Sequence, residues 1–220
     1  MAKITWSELS QRMFRTGVSH GVLYTGPGDA EESIAYSEGV PWNGLVSIES
    51  QPVGGEADPH YMDGVKYSNI ALHEEFEGTL TAFYSPKRFD ACDGSLELSS
   101  GFHARNQRRE KFGLTYRTRI GNAAEGADYA YEIHFLYGLL ASPAQEANNT
   151  INESQDLAPL SWGLTATPVR VPGGRPTSHL TARSYDLSSS QLSDLEDILY
   201  GTEEDSPYLP DPELILSIIN

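Results

Sequence analysis

Side chains that alternate between apolar and polar recur along the chain and predict β-strands. The clearest run is 77–85, where Leu80 and Ala82 fall on one face and Thr79 and Thr81 on the other. Six more runs alternate or are rich in β-branched and aromatic residues: 16–25, 39–50, 111–121, 131–140, 160–169 and 178–185. Seven or eight strands without repeated βα units predict a mainly β protein, an antiparallel β-sandwich or barrel.

A helical period replaces the alternation near the C-terminus. Three leucines share one helical face: Leu192, Leu195 and Leu199. Ser190 is the expected N-cap, a capping box at 193–196 offers a later start, and Gly201 is the expected end. Prolines at 207, 210 and 212 predict an extended segment before the apolar end at 214–219. We therefore divide the chain into a β-sandwich domain with an N-terminal arm, 1–187, and a docking C-terminal segment, 188–220.

Three other segments carry weaker predictions. Residues 2–14 have a weak helical pattern. The connections 51–75 and 141–159 are long and polar. Because long loops are uncommon in compact domains, we expect these two to be functional or ordered by a partner.

Charge is strongly acidic and unevenly distributed. The 220 residues carry 31 acidic and 15 basic side chains, a formal net charge of −16. Six of the basic residues fall within 105–119, whereas 184–220 holds nine acidic residues and no basic one. A chain this acidic is a poor nucleic-acid binder, because affinity for phosphates comes from Lys and Arg. We expect the basic cluster to face acidic surface on a neighbouring copy.

One cysteine, Cys92, excludes an internal disulfide, and no apolar run reaches the roughly 20 residues that span a bilayer. The first residues lack the apolar core of a signal peptide. We therefore expect a soluble protein that folds in a cytoplasm.

Candidate chemistry is sparse, and we expect no catalytic residue, cofactor or metal. The six histidines lack metal-ligand spacing, and the acids of 190–212 do not match a calcium loop. The alternative hypothesis is a monomeric carbohydrate-binding module or glycosidase, because acids and tryptophans together line sugar clefts. Its candidate residues are Glu74, Glu75, Glu77, Glu132, Trp42 and Trp162.

An ordered series of segments resembles the major tail protein of long, non-contractile-tailed phages, particularly those of actinobacterial hosts. The segments are GVPWNGLVSIES, GGEADPHYMDGVKYSNI, EEFEGTLTAFYSP, FDACDGS, FGLTYRTRIGN, YEIHFLYGLLASP, PLSWGLTATPV, PTSHL and LEDILYGTEEDSPYLPDPELILSII. They cover the chain from about Thr16 to its end. Each is a weak pattern alone, and the order makes the series more specific.

The resemblance implies a tail tube subunit without catalytic residues. Copies would form hexameric rings that stack into a tube, which holds a tape-measure protein during assembly and passes DNA at ejection. Other tail proteins would close the tube ends, and the particle would assemble in the host cytoplasm without contact to a membrane. Expected lumen-facing residues are Glu77, Thr79, Thr81, Glu132 and His134. Expected subunit-interface residues are Tyr61, Asp63, Arg105, Arg108, Arg109, Leu214 and Ile215.

Overall fold

A computed structural model of the chain describes residues 8, 12–26, 36–71, 73–143, 146, 150 and 157–220. Within these residues the fold is mainly antiparallel β with short C-terminal helices, which confirms the predicted fold class. The first seven strands are β1 Met13–Thr25, β2 Val40–Pro41, β3 Leu45–Ser50, β4 Val53–Gly54, β5 Ala57–Met62, β6 Val65–Ala71 and β7 Glu74–Glu75. The other seven are β8 Glu77–Ala82, β9 Leu96–Ser99, β10 Phe102–Ala104, β11 Phe112–Asn122, β12 Gly126–Ala141, β13 Leu160–Ala166 and β14 His179–Arg183. The helices are α1 Asp90–Asp93, preceded by a 3₁₀ turn at Lys87–Phe89, α2 Ser189–Tyr200 and α3 Pro212–Ile219.

The main sheet has eight strands and curls back on itself. Its order is β2-β1-β11-β12-β13-β8-β3, and β14 pairs with the middle of β12. The two end strands, β2 and β3, are separated by only the turn 42–44, so the two edges of the sheet must approach each other. Hydrogen bonds from Trp42 N to Gly21 O (2.8 Å) and from Phe83 N to Gly44 O (2.9 Å) tie that turn to β1 and to the end of β8. The sheet is therefore a nearly closed barrel.

An aromatic core fills the curled sheet. Its rings belong to Trp42, Phe89, Phe112 and Trp162, whose centroids lie 4.6 to 6.0 Å apart in tilted and edge-on pairs. The 3₁₀ turn and α1 bury Phe89 and Cys92 in this core. Burial raises the pKa of the Cys92 thiol to about 12, so the thiol is an apolar filler.

A second core lies on the outer face of the same sheet, under α2 and α3. The helices bury Leu195, Leu199, Leu209 and Ile215 against outward side chains of β1 and β12. The outward residues are Val22, Tyr24, Ile133, Phe135 and Tyr137. Strand β12 is thus buried on both faces from Glu132 to Leu139.

Helix α2 differs from its predicted start, and α3 was not predicted as a helix. Helix α2 begins one residue before Ser190, because Ser188 forms the capping box with Gln191. It ends at Gly201 as predicted, where φ is +79°. The extended segment predicted through Pro212 is wrong at its end, since Asp211 caps α3 and Pro212 occupies the first turn.

The predicted long connection 51–75 is also wrong, because it holds β4 to β7. Asp63 and Gly64 both have positive φ, at +51° and +80°, and link β5 to β6 as a tight hairpin. The dipeptide Asp-Gly between alternating residues was the sequence signal for it. The predicted helix at 2–14 lies mostly outside the described residues, and its last two positions, Met13 and Phe14, belong to β1.

Candidate assembly surfaces

A polar sheet face lies on the outside of β3, β8 and β13, and none of the described elements covers it. Glu77, Thr79 and Thr81 alternate there with Leu80 and Ala82, which point into the aromatic core. Cross-strand partners that share the outer face are Ser47, Glu49, Ser161, Gly163 and Thr165. All of these outer-face residues are exposed or half-buried, and none is basic. We call this the bare face; it is polar, and its charged side chains are acidic.

Glu132 and His134, the other two predicted lumen residues, are not on an open surface. Both are buried, and only 1% of Glu132 is exposed. They lie at one end of the inner face of the sheet, where an open polar surface was expected. The alternation along β12 was identified correctly, but the curl of the sheet covers its inner face and the C-terminal segment covers its outer face.

Glu132 is instead the centre of a buried ionic cluster. Its Oε1 accepts from Arg183 Nε at 3.1 Å, and its Oε2 lies 2.8 Å from Arg15 Nη2. The contact with Arg15 is an ion pair without hydrogen-bond geometry. One carboxylate on β12 thus holds arginines from β1 and β14.

Two histidines extend this cluster. His134 Nδ1 lies 3.0 Å from His179 Nε2, and its own Nε2 lies 2.9 Å from Thr118 Oγ1. Tyr116 stacks on the His134 ring with centroids 4.4 Å apart. Burial, reinforced by His179, lowers the pKa of His134 to about 4, and burial also lowers the pKa of His179. Both imidazoles are therefore neutral at pH 7.

The β5–β6 hairpin carries two of the predicted interface residues, Tyr61 and Asp63. Every described side chain on its strands is exposed except half-buried Ser68. Its exposed large apolar side chains are Tyr61, Met62, Val65, Tyr67 and Ile70. An isolated two-stranded ribbon is marginally stable in water, so these exposed apolar side chains make the hairpin a candidate interface.

The predicted basic interface residues lie on the segment that follows β10. Arg105 and Arg108 are exposed, and Arg109 is half-buried and donates from Nε to Asp93 O at 3.3 Å. Arg105 pairs with Glu146 at 2.7 Å. The last two predicted interface residues differ from these: Leu214 is half-buried, and Ile215 is buried in the second core of its own chain. Ile215 is therefore not free to contact a neighbour.

The sugar-cleft hypothesis loses both of its tryptophans. Trp42 and Trp162 are buried in the aromatic core, and their indole nitrogens donate to Tyr84 O and Asp93 Oδ1. Glu74 and Glu75 do line a groove of about 710 Å³, but its described lining has no Trp or Tyr for a sugar to stack on.

One acidic residue of the C-terminal segment, Glu196, holds α2 against the sheet. Glu196 pairs with Arg117 at 2.8 Å and accepts a short hydrogen bond from Tyr131.

In the described residues, no three His, Cys, Asp or Glu side chains are grouped so that they could hold a metal ion. None of the described helices has the length and apolarity needed to cross a membrane.

Comparison with known proteins gives only distant likenesses. No protein-family model and no curated protein matches the chain. One solved structure is the sheath/tube terminator of PVC, an extracellular contractile injection system, in its extended state. It is 14% identical, covers 77% of this chain and 97% of its own, and has a TM-score of 0.39. A second, the PVC sheath-tube complex in the extended state, is 16% identical, covers 82% and 99%, and has a TM-score of 0.36. Similarity at this level does not identify a function.

Proposed function

We propose that this chain is a structural subunit of a phage tail tube, of the siphophage major tail type. The observation that carries the proposal is the β5–β6 hairpin, which exposes large apolar side chains on a domain whose two cores are otherwise well filled. A monomer gains nothing from such a hairpin, whereas a polymer buries it between copies. The ordered series of segments that resembles major tail proteins supports the same function.

In the proposed tube, six copies form a ring and the rings stack. The bare face is the proposed lumen wall, which keeps Glu77, Thr79 and Thr81 in the role predicted for them and adds Glu49. Six copies at −16 each give −96 formal charges per ring. Those that face inward repel DNA phosphates over a screening distance of about 10 Å at 0.1 M salt, so that passing DNA does not bind the wall.

The proposed partners are other copies of this chain, a tape-measure protein in the lumen, and further tail proteins at the two tube ends. DNA is a passing cargo, and the subunit makes no specific contact with it. The proposed location is the virion, after assembly in the host cytoplasm.

Negative-stain microscopy of the purified protein tests this proposal. Rings or tubes of uniform diameter are expected, either at once or after an end protein is added. Antibody against the chain should also decorate phage particles along the length of the tail. A chain that stays monomeric with every end protein, in particles whose tails the antibody does not bind, would overturn the proposal.

A further inference from the structure

The β9–β10 ribbon has one apolar face and one polar face. The polar face is tied to its own chain: Glu97 pairs with Lys87 at 2.7 Å, and His103 lies 3.9 Å from Asp90. The register places Leu96 and Phe102 on the opposite face, Leu98 is the unpaired bulge residue between them, and each of the three is more than half exposed. We call these three residues the ribbon face. It is oriented away from the domain, since the ion pairs hold the other side.

The β5–β6 hairpin has a matching apolar face. The register pairs Met62 with Val65, and Tyr67 is the unpaired bulge residue next to them on β6; their exposed fractions are 59%, 70% and 74%. We call these three residues the tip face. Each face therefore presents three large apolar side chains to solvent, and none of the described residues of the chain covers either face.

The residues around the tip face and those around the ribbon face differ in net charge. The hairpin and the residue before it carry Glu56, Asp58 and Asp63 against one lysine, Lys66. The segment 102–111, which continues from the ribbon, carries three arginines and a lysine against one glutamate. In a chain of net charge −16, a net positive segment beside an apolar face is the exception. The two surfaces are complementary in charge as well as in apolar character.

We propose that the tip face of one copy packs on the ribbon face of a second copy, with Asp58 and Asp63 beside the basic segment 105–111. The inference rests on the proposed function and names the two surfaces through which the copies join. Two different surfaces in contact make a heterologous interface, which repeats from copy to copy and generates a closed ring or an open stack. Two copies that met through one shared surface would stop at a dimer.

Disulfide trapping tests the contact, because the native cysteine, Cys92, is buried. The double variant Tyr67→Cys with Phe102→Cys should give a ladder of covalent oligomers on mild oxidation at an assembling concentration. Each single variant should give no species larger than a dimer, because one cysteine cannot link a series. The control pair Tyr67→Cys with Tyr208→Cys places the second thiol at an exposed site outside both surfaces and should give no ladder.

Charge reversal gives an independent measurement by sedimentation velocity. Asp58→Lys and Arg108→Glu should each weaken association by roughly tenfold, and the double reversal should recover most of the loss. The same substitutions leave the two cores untouched, so the melting temperature serves as the check on folding.

The possible outcomes separate this inference from the proposed function. The contact is supported if the double variant Tyr67→Cys with Phe102→Cys forms a ladder of covalent oligomers and the single variants and the control pair do not. Tubes without a ladder, or dimers from Tyr67→Cys alone at the yield of the double variant, overturn the contact and leave the tube proposal standing. Neither tubes nor a ladder under any assembling condition overturns both.

Discussion

The two halves of the curled sheet share one inner core but have opposite outer faces. On β1 and β12 the outward side chains are large and apolar, and two helices cover them. On β3, β8 and β13 the paired outward residues are Ser, Thr, Gly and Glu, the bulge residue Val46 is also exposed, and no described element of the chain covers them. The same strand geometry thus produces a buried face and a bare face.

The difference shows that the residue types on the outer face of a sheet determine what that face contacts. Tyr24 and Tyr137 bury their rings in the second core and donate their hydroxyls to Leu199 O (2.8 Å) and Pro210 O (2.9 Å). These hydrogen bonds fix the C-terminal segment in one position as well as burying it. Small polar residues at the equivalent places give the helices nothing to pack on. The bare face is thus available to water or to a lumen.

Removing the C-terminal residues that cover the second core should have the largest effect on the free energy of unfolding. Truncation after Tyr200 deletes Leu209 and Ile215, both buried, and exposes Tyr137. Burial of two such side chains contributes about 3–6 kcal/mol, a large share of the roughly 5–15 kcal/mol that stabilises a domain. Urea unfolding should show that loss, or the truncated chain should fail to fold.

A matched pair of full-length variants sharpens that result. Leu209→Ala should lower the free energy of unfolding by about 2–5 kcal/mol, whereas Tyr208→Ala, at an exposed neighbour, should lower it by less than about 1 kcal/mol. Equal effects would show that the C-terminal segment does not depend on the second core.

Breaking the buried ionic cluster should have the next largest effect. Glu132→Gln keeps the shape of the side chain but leaves Arg15 and Arg183 without their common carboxylate. Both arginines are about half exposed, so we expect a loss of about 2–3 kcal/mol, below the value for a fully buried pair. Glu77→Gln on the bare face is the control and should change stability by less than about 0.5 kcal/mol. An unchanged melting temperature for Glu132→Gln would refute the role of the cluster.

The two histidines of this cluster predict that the stability of the fold depends on pH. Because the folded-state pKa of His134 is lowered to about 4, the unfolded chain binds more protons than the folded chain between about pH 4 and 6.5. Stability from the neutral imidazole is therefore fully present above pH 6.5 and is lost as the pH falls toward 4. The expected loss is roughly 3 kcal/mol, since a protonated imidazole at His134 is buried away from water and lies beside His179.

Unfolding curves at a series of pH values measure this dependence, with His134→Gln as the comparison. The variant should be less stable at pH 7 but should lose less between pH 6.5 and pH 4. A parallel pH profile for the two proteins would contradict the assignment to His134.

Substitution on the bare face should have the smallest effect on stability and a specific effect on function. Thr79→Ala and the pair Glu49→Lys with Glu77→Lys should each change the free energy of unfolding by less than about 0.5 kcal/mol. In phage that carries the lysine pair, tubes of normal length should eject DNA more slowly, because cations on the wall attract phosphate. Normal ejection kinetics from normal tubes would count against a luminal bare face.

Local pattern in the sequence was enough to predict most of the strands and the end of α2. Residues 77–85, 111–121 and 131–140 each contain a strand whose apolar alternation is unambiguous. Gly201 ended the helix as predicted because a left-handed position favours glycine. The β5–β6 hairpin was detectable from Asp63-Gly64, and the polar composition of 51–75 obscured it.

By itself, the sequence determined the β class, the alternation of β8, the capped helix, and the exclusion of an internal disulfide. Only the tertiary structure decided which alternating face is open, because that depends on how the sheet curls and where the helices dock. Thr79 and His134 occupy equivalent polar positions in their strands, yet one is on the bare face and the other is buried. A strand carries two faces in its pattern, but its neighbours, which lie far away in the chain, determine whether each face meets water, core or another subunit.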